Sequence, residues 1–430
     1  MILTAIGLAG LFLLLALGVP LGYAMALVGF AGFALLIGPD AAVYSAGQVN
    51  FDNVMSFDLS ILPLFILMGS FIARSGLAED LFGVAEAFLG HRRGGLAMST
   101  VAACGGFSCV CGSSMATVAT MAKVALPSMR QRGYASSLAS ASIVSGGTLG
   151  ILIPPSTTLV IYGIITETNI GKLFMAAVLP GLIAVSLLML AVLTTVLLHP
   201  ESGPRSERQG WRKRLFYLRR TGGVIVLFVG MMGGIYLGVF TVSEAAGIGA
   251  AGSLLFVLWR RALTWRVLKD ALTDAALTTA TIFVILFGAL IFANFIEVTG
   301  LPGELKAWVA SSHLTPIALI LMITAVYFVM GMVLEILSMM LLTVPLFLPM
   351  VTAIGYDPVW FGIFVILVCE LGLITPPVGL NLFVFRATAC DISVAAISRG
   401  LIPFIIALLA VVGIIVSMPE VVSFLPGMMG

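Results

Sequence analysis

Charge is what this sequence has least of: Asp, Glu, Lys and Arg together make up 9% of the 430 residues. A soluble domain carries about 25%, so the chain cannot dress itself in a hydrated surface. With 60% hydrophobic residues and a mean hydropathy of +1.18, it reads as a polytopic membrane protein whose surroundings are the lipid bilayer. A net charge of +2 gives no ground for nucleic-acid binding. Histidine is nearly missing, and His91, His199 and His313 are scattered. The cysteines (Cys104, Cys109, Cys111, Cys369 and Cys390) include Cys109-x-Cys111 but no second pair. That excludes a recognisable zinc site and leaves them as small apolar fillers. There is no H-E-x-x-H, no P-loop, no G-x-G-x-x-G and no catalytic triad. A membrane enzyme would have nothing to work with. A basic n-region and a small-residue cleavage site, the marks of a secretory signal, are missing as well. The first basic residue is Arg74, so residues 2–37 are expected to be mature membrane structure.

Apolar runs are what fills the chain. A spanning helix needs about 20 apolar residues. Ten crossings are expected, at roughly 2–18, 20–37, 59–75, 135–165, 172–198, 222–240, 243–259, 272–298, 358–388 and 397–418. Two more apolar stretches, 95–129 and 315–351, are expected to enter the membrane, turn midway and leave by the same face. With the N-terminus outside, this arrangement puts 19 of the 21 Lys and Arg residues in the cytoplasm, leaving only Lys172 and Lys306 outside. The positive-inside rule fits that orientation and contradicts its inverse. Segment 38–58 agrees, because it holds Asp40, Asp52 and Asp58 but no Lys or Arg. Both termini are expected outside the cytoplasm. Residues 199–221, the one long polar stretch, are expected as a basic cytoplasmic linker.

The chain also resembles itself across that linker. Phe71-Ile72-x-x-Ser75-Gly76-Leu77 matches Phe295-Ile296-x-x-Thr299-Gly300-Leu301 at an offset of 224. Pro127 with Pro349, Gly133-Tyr134 with Gly355-Tyr356, Gly150 with Gly372, and Pro154-Pro155 with Pro376-Pro377 all share an offset of 222. A constant offset points to duplication. Residues 1–198 and 222–420 then form two repeats of five crossings each. An odd number turns the second repeat upside down, the layout of secondary transporters. The expected fold is an all-α polytopic membrane protein with two inverted repeats, each holding a re-entrant hairpin and a broken helix.

"GGTLGILIPPSTTLVIYG" (146–163) and "GLITPPVGLN" (372–381) carry glycine and paired proline inside apolar runs. Proline removes an N–H and clashes with the preceding turn, so these helices must break. Non-helical backbone at membrane depth is tolerated where protein or a watery cavity surrounds it. Freed carbonyls suit Na⁺ and freed N–H groups suit a carboxylate. One Na⁺ is expected near Ser113, Ser114, Gly146 and Thr148, and a second near Gly372, Thr375 and Pro377. The candidate substrate contacts are Gly150, Pro154, Ser156, Thr157, Glu335, Ser338, Gly379, Asn381 and Arg386. Blander roles exist for several of these. The prolines would then only kink packed helices, and Ser113 and Ser114 would only allow tight packing. Glu335, the 222-offset partner of Ser113, either helps to hold a cation or locks its hairpin. Glu370 is a second intramembrane acid, costly unless it functions. Arg386 serves as an interface anchor or a substrate clamp, and Glu244 as a helix cap.

"SIVSGGTLGILIPPS", "TPPVGLNLFVF", "GVFTVSEAA" and "CGSSMATVA", the last followed by "PSMRQRGY", resemble the large membrane subunit of tripartite ATP-independent periplasmic (TRAP) transporters. The similarity runs over about residues 1–420, with the motifs in the family's order. It implies the ion-transporter superfamily fold, with a scaffold and a mobile elevator-like transport domain. It also implies Na⁺ coupling, import of organic acids such as a C4-dicarboxylate or sialic acid, residence in the bacterial inner membrane, and two partners. These are a periplasmic substrate-binding protein and a small four-helix membrane subunit; no four-helix segment precedes Met1, so the latter is expected as a separate chain. "FTVSEAA" departs from the Thr-Pro-Thr-Glu that the family leads one to expect, at a scaffold turn. Glu335, where the family often has Asp, keeps the charge. The alternative reading is a stand-alone Na⁺-coupled dicarboxylate symporter or anion antiporter of the same superfamily. A channel fits less well, since it needs a continuous pore rather than a site that can be occluded at the midplane.

Overall fold

A computed structural model describes residues 2–312 and 314–429. His313 lies outside the described residues. Among those described, every regular element is a helix.

Among the described residues, six helices are long and apolar enough to cross a bilayer alone, and up to eight spans result if each of two bent pairs counts once. That is fewer than the ten expected, for two reasons. Leu21–Ile37 has 17 residues, about 26 Å at 1.5 Å per residue and short of the ~30 Å apolar core. Other crossings are divided by their own breakers, as at Pro358–Ile374, which stops before Pro376. The acidic segment 38–58 falls between two expected crossings. It folds mostly as a helix, Pro39–Val54, bent by 60° from the Phe57–Ala73 that follows. Pro39 takes the first helical position, where its missing N–H costs nothing. The stretch expected as a linker is helical from Trp211 onward, within Trp211–Tyr236. Its Arg and Lys residues are good helix formers and alternate with Trp211, Leu215 and Phe216. Arg214 there is buried, sandwiched by Phe88 and Trp211 and donating from Nε to the Ala87 carbonyl at 2.9 Å.

The two halves of the chain interlock through backbone. Leu21–Ile37 lies against Trp265–Val298 with glycine at the crossing. A Cβ at Gly29 would stand 2.7 Å from the Phe292 Cα, and one at Gly288 would overlap the Gly22 carbonyl. Only glycine permits that approach, as in other close membrane crossings.

Ion pairs gather mostly among the segments expected in the cytoplasm. Asp80, almost fully buried, accepts from Arg220 at 3.2 Å and from Arg260. Arg132 pairs with Glu86 at 2.5 Å, Arg130 with Asp391 at 2.7 Å, and Arg74 with Asp274. At the opposite end of its helix, Glu244 forms a capping box with Thr241. The Thr241 Oγ1 accepts from the Glu244 N–H at 3.2 Å, and Glu244 Oε2 accepts from the Thr241 N–H at 2.8 Å.

Candidate functional site

Residues 95–131 form two helices, Gly95–Cys111 and Ser114–Gln131. The reversal rests on Gly112, whose φ of 60° favours a residue without Cβ. Ser113 starts the second helix as its N-cap, its Oγ accepting from the Ala116 N–H at 3.4 Å. The next segment breaks where the prolines fall. Ser136–Gly147 and Leu149–Leu152 lead into extended backbone at Ile153, and Ser156 then caps Thr157–Ile165, the two arms meeting at 41°. Turn and break touch. A Cβ at Gly150 would stand 2.6 Å from the Ser113 carbonyl oxygen, and Thr157 Oγ1 donates to the Gly112 carbonyl at 3.3 Å.

The second half has a corresponding set of elements. Pro316–Gly331 is followed by Ile336–Ala353 with Glu335 at its N-cap, and Pro358–Ile374 by Leu380–Thr388 across Thr375–Gly379. Gly379 has φ of 60°. A Cβ at Gly372 would lie 2.8 Å from the Gly331 Cα. So Gly150 and Gly372, 222 residues apart, each let a broken helix press its backbone against a facing turn.

The two sets meet. Ser114 Oγ donates to Glu370 Oε2 at 3.0 Å, and Asn381 Nδ2 donates to the same Ser114 Oγ at 2.7 Å. All three residues are buried. Glu370 Oε1 and Asn381 Oδ1 are buried acceptors with no donor among the described residues. An acceptor left so costs on the order of 1–3 kcal/mol, and two in one cluster is a set that a cation satisfies. Among the described residues, no three His, Cys, Asp or Glu side chains come together as a metal cage.

Beside this cluster lies a cavity of about 530 Å³. Ser113, Ser114 and Thr157 line it from the first set, and Glu335 and Leu373 from the second. Its other wall comes from Ile61–Ala73 and Trp265–Val298, with the Arg74–Asp274 pair on the lining. Arg74, paired with Asp274, is the one basic residue among the described residues of that lining.

The remaining candidates stand around rather than in this cavity. Thr148 is buried and donates to Ser145 O at 2.6 Å, while Gly146 packs on Cys104. Pro154 and Ser156 are buried at the first break. Thr375 donates to Leu371 O at 2.6 Å, and Ser338 reaches Glu335 Oε2 at 3.5 Å. Pro377 and Arg386 are exposed, and Arg386 is not brought to the cluster or the cavity. The residue that sequence reasoning left off the site is Glu370. Two signals mark it in the sequence. It is the only acid in 358–388, and it stands 222 residues after Thr148. Nothing local marks Arg74 and Asp274.

Comparison with known proteins follows this geometry. Residues 8–421 match the model of the family described as tripartite ATP-independent periplasmic transporter, DctM component. The chain is 35% identical over 397 residues to the C4-dicarboxylate TRAP transporter large permease protein DctM of Pseudomonas aeruginosa, covering 92% of each chain. It is 31% identical over 425 residues to the isethionate TRAP transporter permease protein DctMQ of Oleidesulfovibrio alaskensis, covering 96% of this chain and 65% of that one. In fold it resembles the crystal structure of the YdaH transporter of Alcanivorax borkumensis, with a TM-score of 0.61 at 13% identity over 89% of this chain and 90% of that one.

Proposed function

The chain belongs to the DctM component family of tripartite ATP-independent periplasmic transporters, and from that membership we propose how it works: it moves an organic anion through the cavity between Ser113 and Glu335, driven by Na⁺. It is a membrane-embedded large permease and not an enzyme. The observation that carries the proposal is the meeting of the two half-chains, with Ser114 of one bonded to Glu370 and Asn381 of the other beside the cavity.

The substrate is an organic acid. Relatives are named for a C4-dicarboxylate and for isethionate, and Arg74 gives a leaving anion a positive group on the lining. Na⁺ is the coupling ion. Ser113, Ser114, Gly146 and Thr148 on one side, and Gly372, Thr375 and Pro377 on the other, supply carbonyls and hydroxyls for it. The unpaired acceptors of Glu370 and Asn381 add to both sets. Residues 1–198 and 222–420 act as inverted repeats, with 199–221 between them in the cytoplasm and both termini in the periplasm. The segments 90–165 and 313–388 move together past a scaffold made of the other helices, in the manner of an elevator. A periplasmic binding protein delivers the substrate and a small four-helix subunit broadens the scaffold. The DctMQ relative, longer than this chain, is in keeping with such a second membrane part.

Uptake of a labelled C4-dicarboxylate into proteoliposomes holding the purified complex tests this. Transport is expected to stop when K⁺ or choline replaces Na⁺, and undiminished uptake overturns the coupling. A cysteine pair tethering Ile61–Ala73 to Ser114–Gln131 should stop transport, whereas a tether within 90–165 should not. Strong Na⁺-driven uptake by this chain alone would turn the reading to a stand-alone symporter.

A further inference from the structure

The helices Trp211–Tyr236 and Val242–Trp259 form an antiparallel pair joined by a tight turn. At the end away from that turn, Arg219, Arg220 and Arg260 converge on an open cleft of about 410 Å³ completed by Phe216 and Trp259. The transport reading makes no use of it.

Three features define what the cleft takes. The first is charge. Arg220 and Arg260 share one buried carboxylate, Asp80, and Arg219 has no ion pair among the described residues. Glu79 lines the adjoining cavity behind Asp80, and the cleft stays positive even with that acid counted. The second is an unfilled donor. Arg260 lines the cleft and its Nη1 has no acceptor among the described residues, and a guanidinium fork matches the oxygens of a phosphate. The third is level. Trp211, Trp259 and Trp265 are 73%, 68% and 80% exposed at this end of the pair. Exposed tryptophan concentrates where membrane meets water. One turn before Trp259, on the same face, Leu255 continues as an exposed apolar surface.

We propose that this cleft is a binding site for an anionic phospholipid. Its phosphate sits among Arg219, Arg220 and Arg260, and an acyl chain runs over Phe216, Trp259 and Leu255. Basic pockets between membrane helices take such headgroups. Free phosphate shares the head chemistry but gains nothing from the exposed apolar surface beneath it.

Native mass spectrometry of the full-length chain in neutral detergent tests the assignment, with phosphatidylglycerol, phosphatidylcholine and inorganic phosphate as probes. Phosphatidylglycerol should be retained in preference to phosphatidylcholine, whose ammonium cancels its phosphate. Excess inorganic phosphate should not displace it. Arg219→Gln should weaken binding about fivefold, as about 1 kcal/mol per basic residue requires, while Arg219→Lys keeps most of it. Trp259→Ala should weaken it as well. Arg219 is exposed and bonds to nothing described, so the variant folds, and circular dichroism verifies this. Equal retention of the two lipids overturns the site. So does an unchanged affinity in Arg219→Gln, or displacement by inorganic phosphate. Binding is read without transport, so failure here leaves the transport reading standing.

Discussion

Ser114 and Glu370 are 256 residues apart in the chain and are joined by a hydrogen bond of 3.0 Å. The hydroxyl donates to one carboxylate oxygen and itself accepts from Asn381, and the other carboxylate oxygen is left bare. One small residue at a helix reversal thus holds the only acid of a broken helix in the opposite half.

Two substitutions separate structure from transport at this point. Glu370→Gln keeps an acceptor for Ser114 and should leave the Tm nearly unchanged, yet abolish uptake if the charge holds a cation. Glu370→Leu leaves the buried Ser114 hydroxyl without its acceptor and should cost on the order of 1–3 kcal/mol as well. Uptake assays beside thermal melts of the purified chain decide this. Wild-type transport by Glu370→Gln rules out a role for the charge.

Gly150 and Gly372 should resist change equally. Alanine at either forces backbone atoms apart, since its Cβ would lie 2.6 Å from Ser113 O or 2.8 Å from the Gly331 Cα. Each should lower the Tm and cut transport, by about 1–3 kcal/mol as for overpacked cores. Gly413→Ala has open space around it and should be neutral or mildly stabilising. Melting curves of the three variants, taken side by side, give the comparison.

Thr241→Ala removes half of the capping box and should cost about 1 kcal/mol. Melting curves of wild type and Thr241→Ala measure this, and an unchanged Tm would remove the capping box from the account.

Orientation is open to reporter fusions. Alkaline phosphatase joined after Gly210 should be inactive, because residues 199–221 are assigned to the cytoplasm by their arginines and lysines. Activity there would invert every side assignment.

What the sequence made legible was local. Pro154-Pro155 and Pro376-Pro377 forecast breaks because proline acts on its own turn, and the midway turn expected within 95–129 falls at Gly112, where φ is 60°. The constant offset of 222 linked Ser113 to Glu335 before the cavity was known, and both line it. What stayed hidden was partnership. Arg74 and Asp274 are 200 residues apart, and no spacing rule joins them. Glu370 was visible as a costly charge but not as the partner of Ser114. Segment 38–58 lies outside the expected crossings, yet Pro39 at a first helical position marks a helix start there.

The glycine crossing between Leu21–Ile37 and Trp265–Val298 bears on how the molecule can be divided. Helices that touch through backbone have one register. An axial slip of a single residue, about 1.5 Å, carries a side chain onto a carbonyl that only glycine clears. Gly22 and Gly288 are therefore a fixed joint between the halves, just as Ser114 and Glu370 are a stitch between them elsewhere. No line of relative motion can follow the middle of the sequence. Were parts of the molecule to shift against each other, Gly22 would stay with Gly288 and Ser114 with Glu370, so the cut would run through both halves.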